Sequence, residues 1–404
     1  MARTIKDSGI EWIGKMPSDW KLVQLKQFTS VNNGKEIISE CDSSNPDAVP
    51  VYGSGGVFKY TNAPLYCGEA VMFGRKGTLG KPIHVSGRFW TVDTMYFLTY
   101  SKDLLPRFNY YQLVAFDWYP YITHTALPSV VASQIVSCRF AFPLVSEQRR
   151  IADFLDAECA EIDAVLEKTR ASVEEYKKLK QAVITQAVTK GIRGDRPMKD
   201  SGSIWFGKIP VEWDVKRIKY LFHIKKEIAG AEGHTVLSIT QRGVMPKDLS
   251  KNEGQLAENY SNYQLVNPGD FAMNHMDLLT GWVDISKYDG VTSPDYRVFV
   301  LDDTKNNNRR YYLYMMQMCY FNRIFYGLGA GVSGMGRWRL QADKFLNFIV
   351  AVPPAEEQRE ISEHLDTRCK ELDSLIEKKA RFLSELEFYK KSLIFEYVTG
   401  KKEV

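Results

Sequence analysis

The chain has 404 residues, 44% of them hydrophobic and 25% charged, with a formal net charge of +4. That length suggests two or three domains, each able to bury a core without crosslinks. Six scattered cysteines form no C-x-x-C pair, no leader pattern opens the chain, and no apolar run approaches the roughly 18 residues that span a bilayer, so the chain reads as a cytoplasmic protein with reduced thiols.

The first element in chain order is a repeated one. "KDSGIEWIGKMPSDW" runs from Lys6 to Trp20 and returns 193 positions later as "KDSGSIWFGKIPVEW", from Lys199 to Trp213. An internal repeat of this kind governs the whole architecture. After the first copy, the runs "EAVMFG" and "RFWTVDTMYFLTY" are β-branched and aromatic and predict strands, "GSGG" predicts a turn, and "PRFNYYQLVAFDW" predicts a helix. The glycine-flanked loop "FGRKGTLGKP" carries Arg75, Lys76 and Lys81. It misses the P-loop pattern, because its first glycine is misplaced and Pro82 stands where a magnesium-binding hydroxyl belongs.

At Pro143, "PLVSEQRRIADFLD" has the grammar of a helix start: Ser146 can cap it and Glu147 lies at the positive end of the helix dipole. Ile151, Leu155, Ile162, Leu166, Val173, Tyr176, Val183 and Ala187 follow at spacings of three, four and seven. That stripe predicts a long helix over 146–190, roughly 65 Å in length, packed against another long helix. The stretch "GIRGDRPM" then serves as a linker over 191–198.

The second half repeats the plan. "TVLSIT" and "YRVFVLDD" predict strands, "NPGD" a β-turn, and "NRRYYLYMMQMCYFNRIFY" an aromatic helix. "GAGVSG" matches G-x-G-x-x-G, yet it follows a predicted helix and lacks the acidic residue about 20 positions on that a dinucleotide fold needs. "GMGRWRL" carries Arg337 and Arg339. From Pro353, "PPAEEQREISEHLD" restarts the long helix at an offset of 210, and Ile361, Leu365, Leu372, Ile376, Leu383, Leu386, Leu393 and Tyr397 keep the phase of the first stripe. Two equivalent rods pair most simply antiparallel about a two-fold axis, with each Trp motif packed at the end of the opposing rod.

Charge separates the parts. The helical segments 146–190 and 355–404 hold eight basic against nine acidic residues and ten against twelve, so the positive excess lies on the variable regions, in loops where a polyanion can approach closely. The six histidines show no zinc spacing, and no nucleophile elbow, helicase motif or carboxylate cluster stands out. The expectation is a protein with no catalytic set and no metal of its own.

Trp motifs, "P-x-x-x-EQ-x-x-I-x-x-x-LD" helix starts and "VTKG" and "VTGK" helix ends together resemble the specificity subunit of type I restriction-modification systems, over the whole chain. The resemblance implies an α+β fold in which two mixed α/β target recognition domains are separated by two long helices forming an antiparallel coiled coil. The corresponding boundaries are 1–145 for recognition domain 1, 146–190 for the first spacer helix, 191–198 for the linker, 199–354 for recognition domain 2 and 355–404 for the second helix. It implies that each domain reads half of a bipartite, asymmetric site in double-stranded DNA and that the helices set the gap. It also implies two methyltransferase subunits that bind S-adenosylmethionine and methylate adenine, and motor-nuclease subunits in the restricting complex, with no cofactor in this chain.

The family offers no motif for recognition residues, so side-chain chemistry selects them. Arginine and lysine pair with guanine edges or phosphates, and asparagine with adenine. The candidates are Lys59, Arg75, Lys76, Lys81 and His124 in the first domain, and Arg242, Asn274, His275, Arg337 and Arg339 in the second. Trp90, Trp118 and Trp282 are expected in cores rather than as stacking platforms. The alternative reading is a coiled-coil adaptor presenting two protein-binding domains, which would show no salt-dependent DNA binding.

Overall fold

Each Trp motif folds into a two-stranded antiparallel hairpin, Ile5–Asp7 with Lys15–Pro17 and Met198–Asp200 with Lys208–Pro210. The structure is a computed structural model and describes residues 3–123, 125–248, 250, 259–331 and 338–404. The hairpin loops are chemical copies. Asp7 and Asp200 each accept the N–H of the glycine two residues on, at 2.9 Å. Gly9, Gly14, Gly202 and Gly207 all sit at φ between 58° and 69°, a region that strains any residue with a Cβ.

The described residues form seven α-helices: α1 (Pro106–Ala115), α2 (Ala132–Ser137), α3 (Val145–Lys190), α4 (Arg309–Phe321), α5 (Ile324–Leu328), α6 (Ala342–Asn347) and α7 (Ala355–Val398). The chain divides into two compact units, one of Met1–Ala171 with Ala380–Val404, the other of Ser172–Lys379. Each unit contains part of α3 and part of α7.

In the first unit, an antiparallel sheet orders its strands Thr29–Asn33, Met95–Tyr100, Ala70–Gly74 and Ile83–Val85. Ala70–Gly74 is buried throughout, which is why its sequence is a continuous apolar run without alternation. A second sheet of Gly56–Thr61, Val49–Gly53, Arg88–Thr91 and Tyr66–Cys67 includes one parallel pairing, Val49–Gly53 with Arg88–Thr91. The run expected as one strand, "RFWTVDTMYFLTY", is therefore two. A turn closed by Met95 N–H to the Val92 carbonyl at 2.9 Å sends its halves into different sheets. Trp20, Phe73, Phe108 and Phe140 form the core with Ile151, Leu155, Ile162 and Leu166 of α3 and Leu393, Ile394 and Val398 of α7.

The second unit repeats the first antiparallel sheet in the same order: Phe222–Lys225, Arg297–Leu301, Phe271–Met273 and Val283–Ile285. Asp214–Arg217 pairs with Ile349–Val352 as Lys21–Gln24 pairs with Arg139–Phe142 in the first unit, whereas the counterpart of the second sheet is two separate pairs, Leu237–Thr240 with Gly243–Pro246 and Gln264–Val266 with Gly290–Thr292. The duplication is thus faithful in the hairpins, the inner sheet and the first of these two-stranded pairs, and divergent in the second sheet. Trp213, Phe271, Phe299, Tyr311 and Phe325 form the core with Ile184 and Val188 of α3 and Ile361 and Leu365 of α7. The aromatic helix expected as one piece breaks after α4, where Arg323 adopts a left-handed conformation at φ 56° and α5 begins. "NPGD" is the expected turn, closed by Asp270 N–H to the Asn267 carbonyl at 3.0 Å.

The long helices run antiparallel within each unit. In the first, Lys390 meets Asp163 at 2.7 Å and the rings of Phe154 and Tyr397 lie 4.5 Å apart. In the second, Lys180 meets Asp373 at 2.7 Å and Lys379 lies 5.7 Å from the Tyr176 ring. Every residue of the two predicted apolar stripes is buried or half-buried. Among the described residues no helix is long and apolar enough to cross a membrane.

Candidate nucleic-acid interface

The repeated motifs fix each domain to the start of a long helix. Gln148, fully buried in the first turns of α3, accepts Leu105 N–H at 2.9 Å and donates to the carbonyls of Asp103 and Pro143. Gln358 in α7 does the same, accepting Asn308 N–H at 2.8 Å and donating to the Pro353 carbonyl at 2.9 Å. Two turns further on, Tyr111 donates to Asp156 at 2.6 Å and Tyr314 to Asp366 at 2.7 Å. Arg107 and Arg310, one turn before each tyrosine, pair with the same carboxylates. In consequence the domain helices α1 and α4 are anchored at both ends of a helical turn.

A third device involves the Trp motif itself. Arg196 lies over the Trp213 ring at 5.4 Å and pairs with Glu357, which also accepts the Trp213 indole N–H at 3.0 Å. In the first unit Arg3 lies over Trp20 at 5.5 Å and pairs with Glu147 at 2.7 Å, while the Trp20 indole N–H has no partner among the described residues. Gly400, just beyond α7, packs so closely that an added Cβ would lie 2.4 Å from Pro17 Cδ. Gly191, just beyond α3, holds the matching position against Arg196 and Glu357. Sequence reasoning missed Arg3 and Arg196 and the two tyrosines. The signal was present, since the arginines share the 193 offset and an R-x-x-x-Y spacing occurs in both domain helices.

On this framework the first domain presents a cationic loop. Arg75 and Lys76 leave the buried strand Ala70–Gly74 and are exposed, with no acidic partner among the described residues. Val130 N–H donates to the Arg75 carbonyl at 3.0 Å, and Thr78 N–H donates to Ser54 Oγ at 3.3 Å, so neighbouring loops brace this one. Lys81 is exposed at its far end, before strand Ile83–Val85. Lys59 lies on the second sheet and is engaged by Glu40. His124 lies outside the described residues. Trp90 and Trp118 are buried, each donating its indole N–H to a backbone carbonyl at 2.8 Å, and Trp282 is partly buried against the second core.

In the second domain, the loop after strand Phe271–Met273 gathers three candidates. The Asn274 side-chain oxygen accepts the N–H groups of Met276 and Asp277 at 3.2 Å each, so that side chain closes a turn. His275 is half-buried beside Arg297 and Arg339, and its carbonyl accepts Leu340 N–H at 2.9 Å. Burial, with the two arginines adding to it, pushes the imidazole down to about 3, so His275 is neutral and brings no charge to a phosphate. Arg339 is exposed on a short bridge to Ala330. Arg242, exposed at the turn of the Leu237–Pro246 hairpin, joins the same loop region through Gln241, which donates to the Thr280 carbonyl at 3.4 Å. Arg337 lies outside the described residues. Arg297 is buried, donates to the Leu340 carbonyl at 2.9 Å and stacks on Phe345, which makes it a scaffold residue.

A family model described as the type I restriction modification DNA specificity domain matches residues 17–175 and again residues 210–382. The type I restriction enzyme MjaVIII specificity subunit of Methanocaldococcus jannaschii is 24% identical over 96% of this chain and 94% of its own. A chain solved in work on complex assembly and conformational transition of the type I R-M system superposes with a TM-score of 0.68 at 14% identity, over 96% of this chain and 99% of that one. The HsdS subunit of Thermoanaerobacter tengcongensis superposes at 0.50 with 15% identity, over 98% and 100%. These two likenesses are likenesses of fold.

Proposed function

This chain belongs to the type I restriction-modification DNA specificity family and is a non-catalytic specificity subunit carrying two copies of the family's domain, from which we propose how its residues divide the work. The observation that carries the reading is the pattern of the duplication. The inner sheet, the buried glutamines and the Tyr–Asp clamps are the same twice, while outer strands and exposed basic loops differ. The shared parts hold position and the differing parts read two different half-sites of a bipartite, asymmetric sequence in double-stranded DNA.

The residues assigned to DNA are the exposed cations without acidic partners, Arg75, Lys76 and Lys81 in one domain and Arg242 and Arg339 in the other. Lys59 is held by Glu40 and Asn274 closes its own turn, which favours support over contact, and the half-buried, neutral His275 brings no charge to a phosphate. The long helices keep large apolar side chains outside their seam, with Phe388 72% and Tyr389 51% exposed in the first unit. An isolated patch of that kind on a charged helix favours a protein partner. We assign it to the methyltransferase subunits, which bring S-adenosylmethionine and the chemistry of adenine methylation, with motor-nuclease subunits in the restricting complex. The site of action is the cytoplasm, where the DNA is.

Exchanging residues 21–142 for the matching region of another family member, followed by methylome sequencing, tests the division. One half-site changes and the other stays. A change in both, or in neither, removes the modular reading.

A further inference from the structure

The duplication places a cleft at the same point in both units, with a recognition loop on one side and a long helix on the other. In the second unit a cleft of about 980 Å³ opens between α3, α7, the end of α4 and the Arg242 turn. In the first, a cleft of about 660 Å³ opens between α7, the end of α1 and the Lys81 loop. The walls correspond through the repeat offsets: Gln181 of α3 lines one and Lys391 of α7 the other, 210 positions on. Gln317 and Phe321 match Val114 and Trp118 at an offset of 203. A feature that recurs in two diverged copies belongs to the shared plan.

Both clefts are cationic in the groups left over after internal pairing. Asp366 is engaged by Arg310 and Tyr314 and Asp373 by Lys180, while Asp284, bonded by the N–H groups of Val244 and Ile285, is one negative charge against three remaining cations. Arg242, Arg323 and Lys370 are exposed in the larger cleft with no acidic partner among the described residues. No carboxylate lines the smaller cleft, where Lys81 and Lys391 are exposed.

Arg323 adds an independent sign. It sits at φ 56° just past α4, where glycine is the favoured residue, and its side chain makes no internal bond among the described residues. The chain holds a cation at a strained position that glycine would fill without strain.

We infer that these clefts are DNA-backbone sites, in which Arg323 of the α4–α5 junction and Lys370 of α7 in one unit, and Lys391 of α7 in the other, hold phosphates alongside Arg242 and Lys81. The inference rests on the DNA reading above and extends it: the long helices bind nucleic acid as well as fixing register. Phosphate contacts of this kind carry no sequence information and appear in the salt dependence of binding.

The test uses the full chain in the complex in which it purifies, titrated with a cognate and a scrambled duplex over a series of salt concentrations. Arg323→Gly, Lys370→Gln and Lys391→Gln should each weaken both duplexes equally, by roughly three- to tenfold, and lower the salt slope by about 1. Lys370→Arg restores binding. Arg323→Gly keeps or raises the thermal midpoint, because glycine relieves the left-handed backbone, so lost binding there is not lost folding. Unchanged affinity and slope in all three, with Arg75→Ala still weakening binding, overturn the inference and leave the DNA reading standing. Loss confined to the cognate duplex, or loss of an associated subunit with DNA binding intact, also overturns it. No salt-dependent binding by the unaltered complex removes the DNA reading itself.

Discussion

Trp213 donates its indole N–H to Oε2 of Glu357 at 3.0 Å across 144 positions of chain, and the same carboxylate receives Arg196. The Glu357 side chain is only 2% exposed, whereas its counterpart Glu147 is 17% exposed and leaves the Trp20 indole unpartnered. Removing one member of a buried pair strands the other, at about 3–5 kcal/mol. Glu357→Ala should therefore lower the stability of its unit by that order, and Glu147→Ala by distinctly less. Urea unfolding of the two variants measures the asymmetry, and equal losses would remove it.

The tyrosine clamps make a symmetric prediction. Tyr111 and Tyr314 donate to Asp156 and Asp366 at 2.6 and 2.7 Å. A hydrogen bond to a charged group contributes about 1.5–3 kcal/mol. Tyr111→Phe and Tyr314→Phe should each lose stability in that range while the arginine beside each carboxylate stays in place. Far-UV circular dichroism through the urea transition reads both, and a neutral result at either position would show that arginine alone holds the helix.

These clamps also mark how far the sequence could be read. Helix α3 was legible almost to the residue, expected from 146 and found as Val145–Lys190, because a 3.6-residue stripe and its cap are local signals. The inner strands Ala70–Gly74 and Arg297–Leu301 were visible as β-branched and aromatic runs. What escaped was pairing over distance. Nothing near Tyr314 announces Asp366, and nothing at Val92 says that the chain changes sheet there. The candidate site divided likewise. Glycine-flanked basic loops put forward Arg75, Lys76 and Arg339, which are exposed, but composition could not tell that Asn274 closes its own turn or that Lys59 is held by Glu40. The cations proposed for the clefts, Arg323 at the α4–α5 junction and Lys391 on α7, stand in the sequence among ordinary charged residues.

Arg75 and Arg339 are exposed in different units, and each should act on its own half-site alone. Arg75→Ala and Arg339→Ala are expected to weaken binding by roughly 1–3 kcal/mol if the contact is to a base. Methylation mapping after each substitution should show relaxed sequence preference in one half of the site with the other half intact. Relaxation of both halves by a single substitution would mean that the domains do not read independently.

His275 gives a pH prediction with a definite sign. Its folded imidazole is pushed from the usual 6.5 down to about 3, by burial first and by Arg297 and Arg339 after it. Below about 6.5 the unfolded chain takes up a proton that the folded chain refuses, so the stabilisation present above 6.5 is lost as pH falls toward 3. The slope from one such group is at most about 1.4 kcal/mol per pH unit. His275→Gln removes this contribution, so the urea midpoint of the variant should fall less steeply than that of the parent between those limits. Parallel curves would show that His275 is protonated in the folded state.

The long helices pose the question of what fixes their register, ion pairs or the apolar seam. Lys390 meets Asp163 at 2.7 Å, yet the side chains are 25% and 58% exposed, and water competes for both. Exposed pairs of this kind contribute about 0–1 kcal/mol and fade as salt screens them. Leu155 of α3, by contrast, is wholly buried in a core shared with Leu393 of α7, where truncation leaves a cavity costing about 2–5 kcal/mol. Lys390→Ala should therefore change stability by less than about 1 kcal/mol, and by less still in high salt, while Leu155→Ala destabilises strongly at any ionic strength. If Lys390→Ala proved the costlier of the two, register would be set by charge, and the apolar stripe that predicted these helices would be filling space without specifying how they pair.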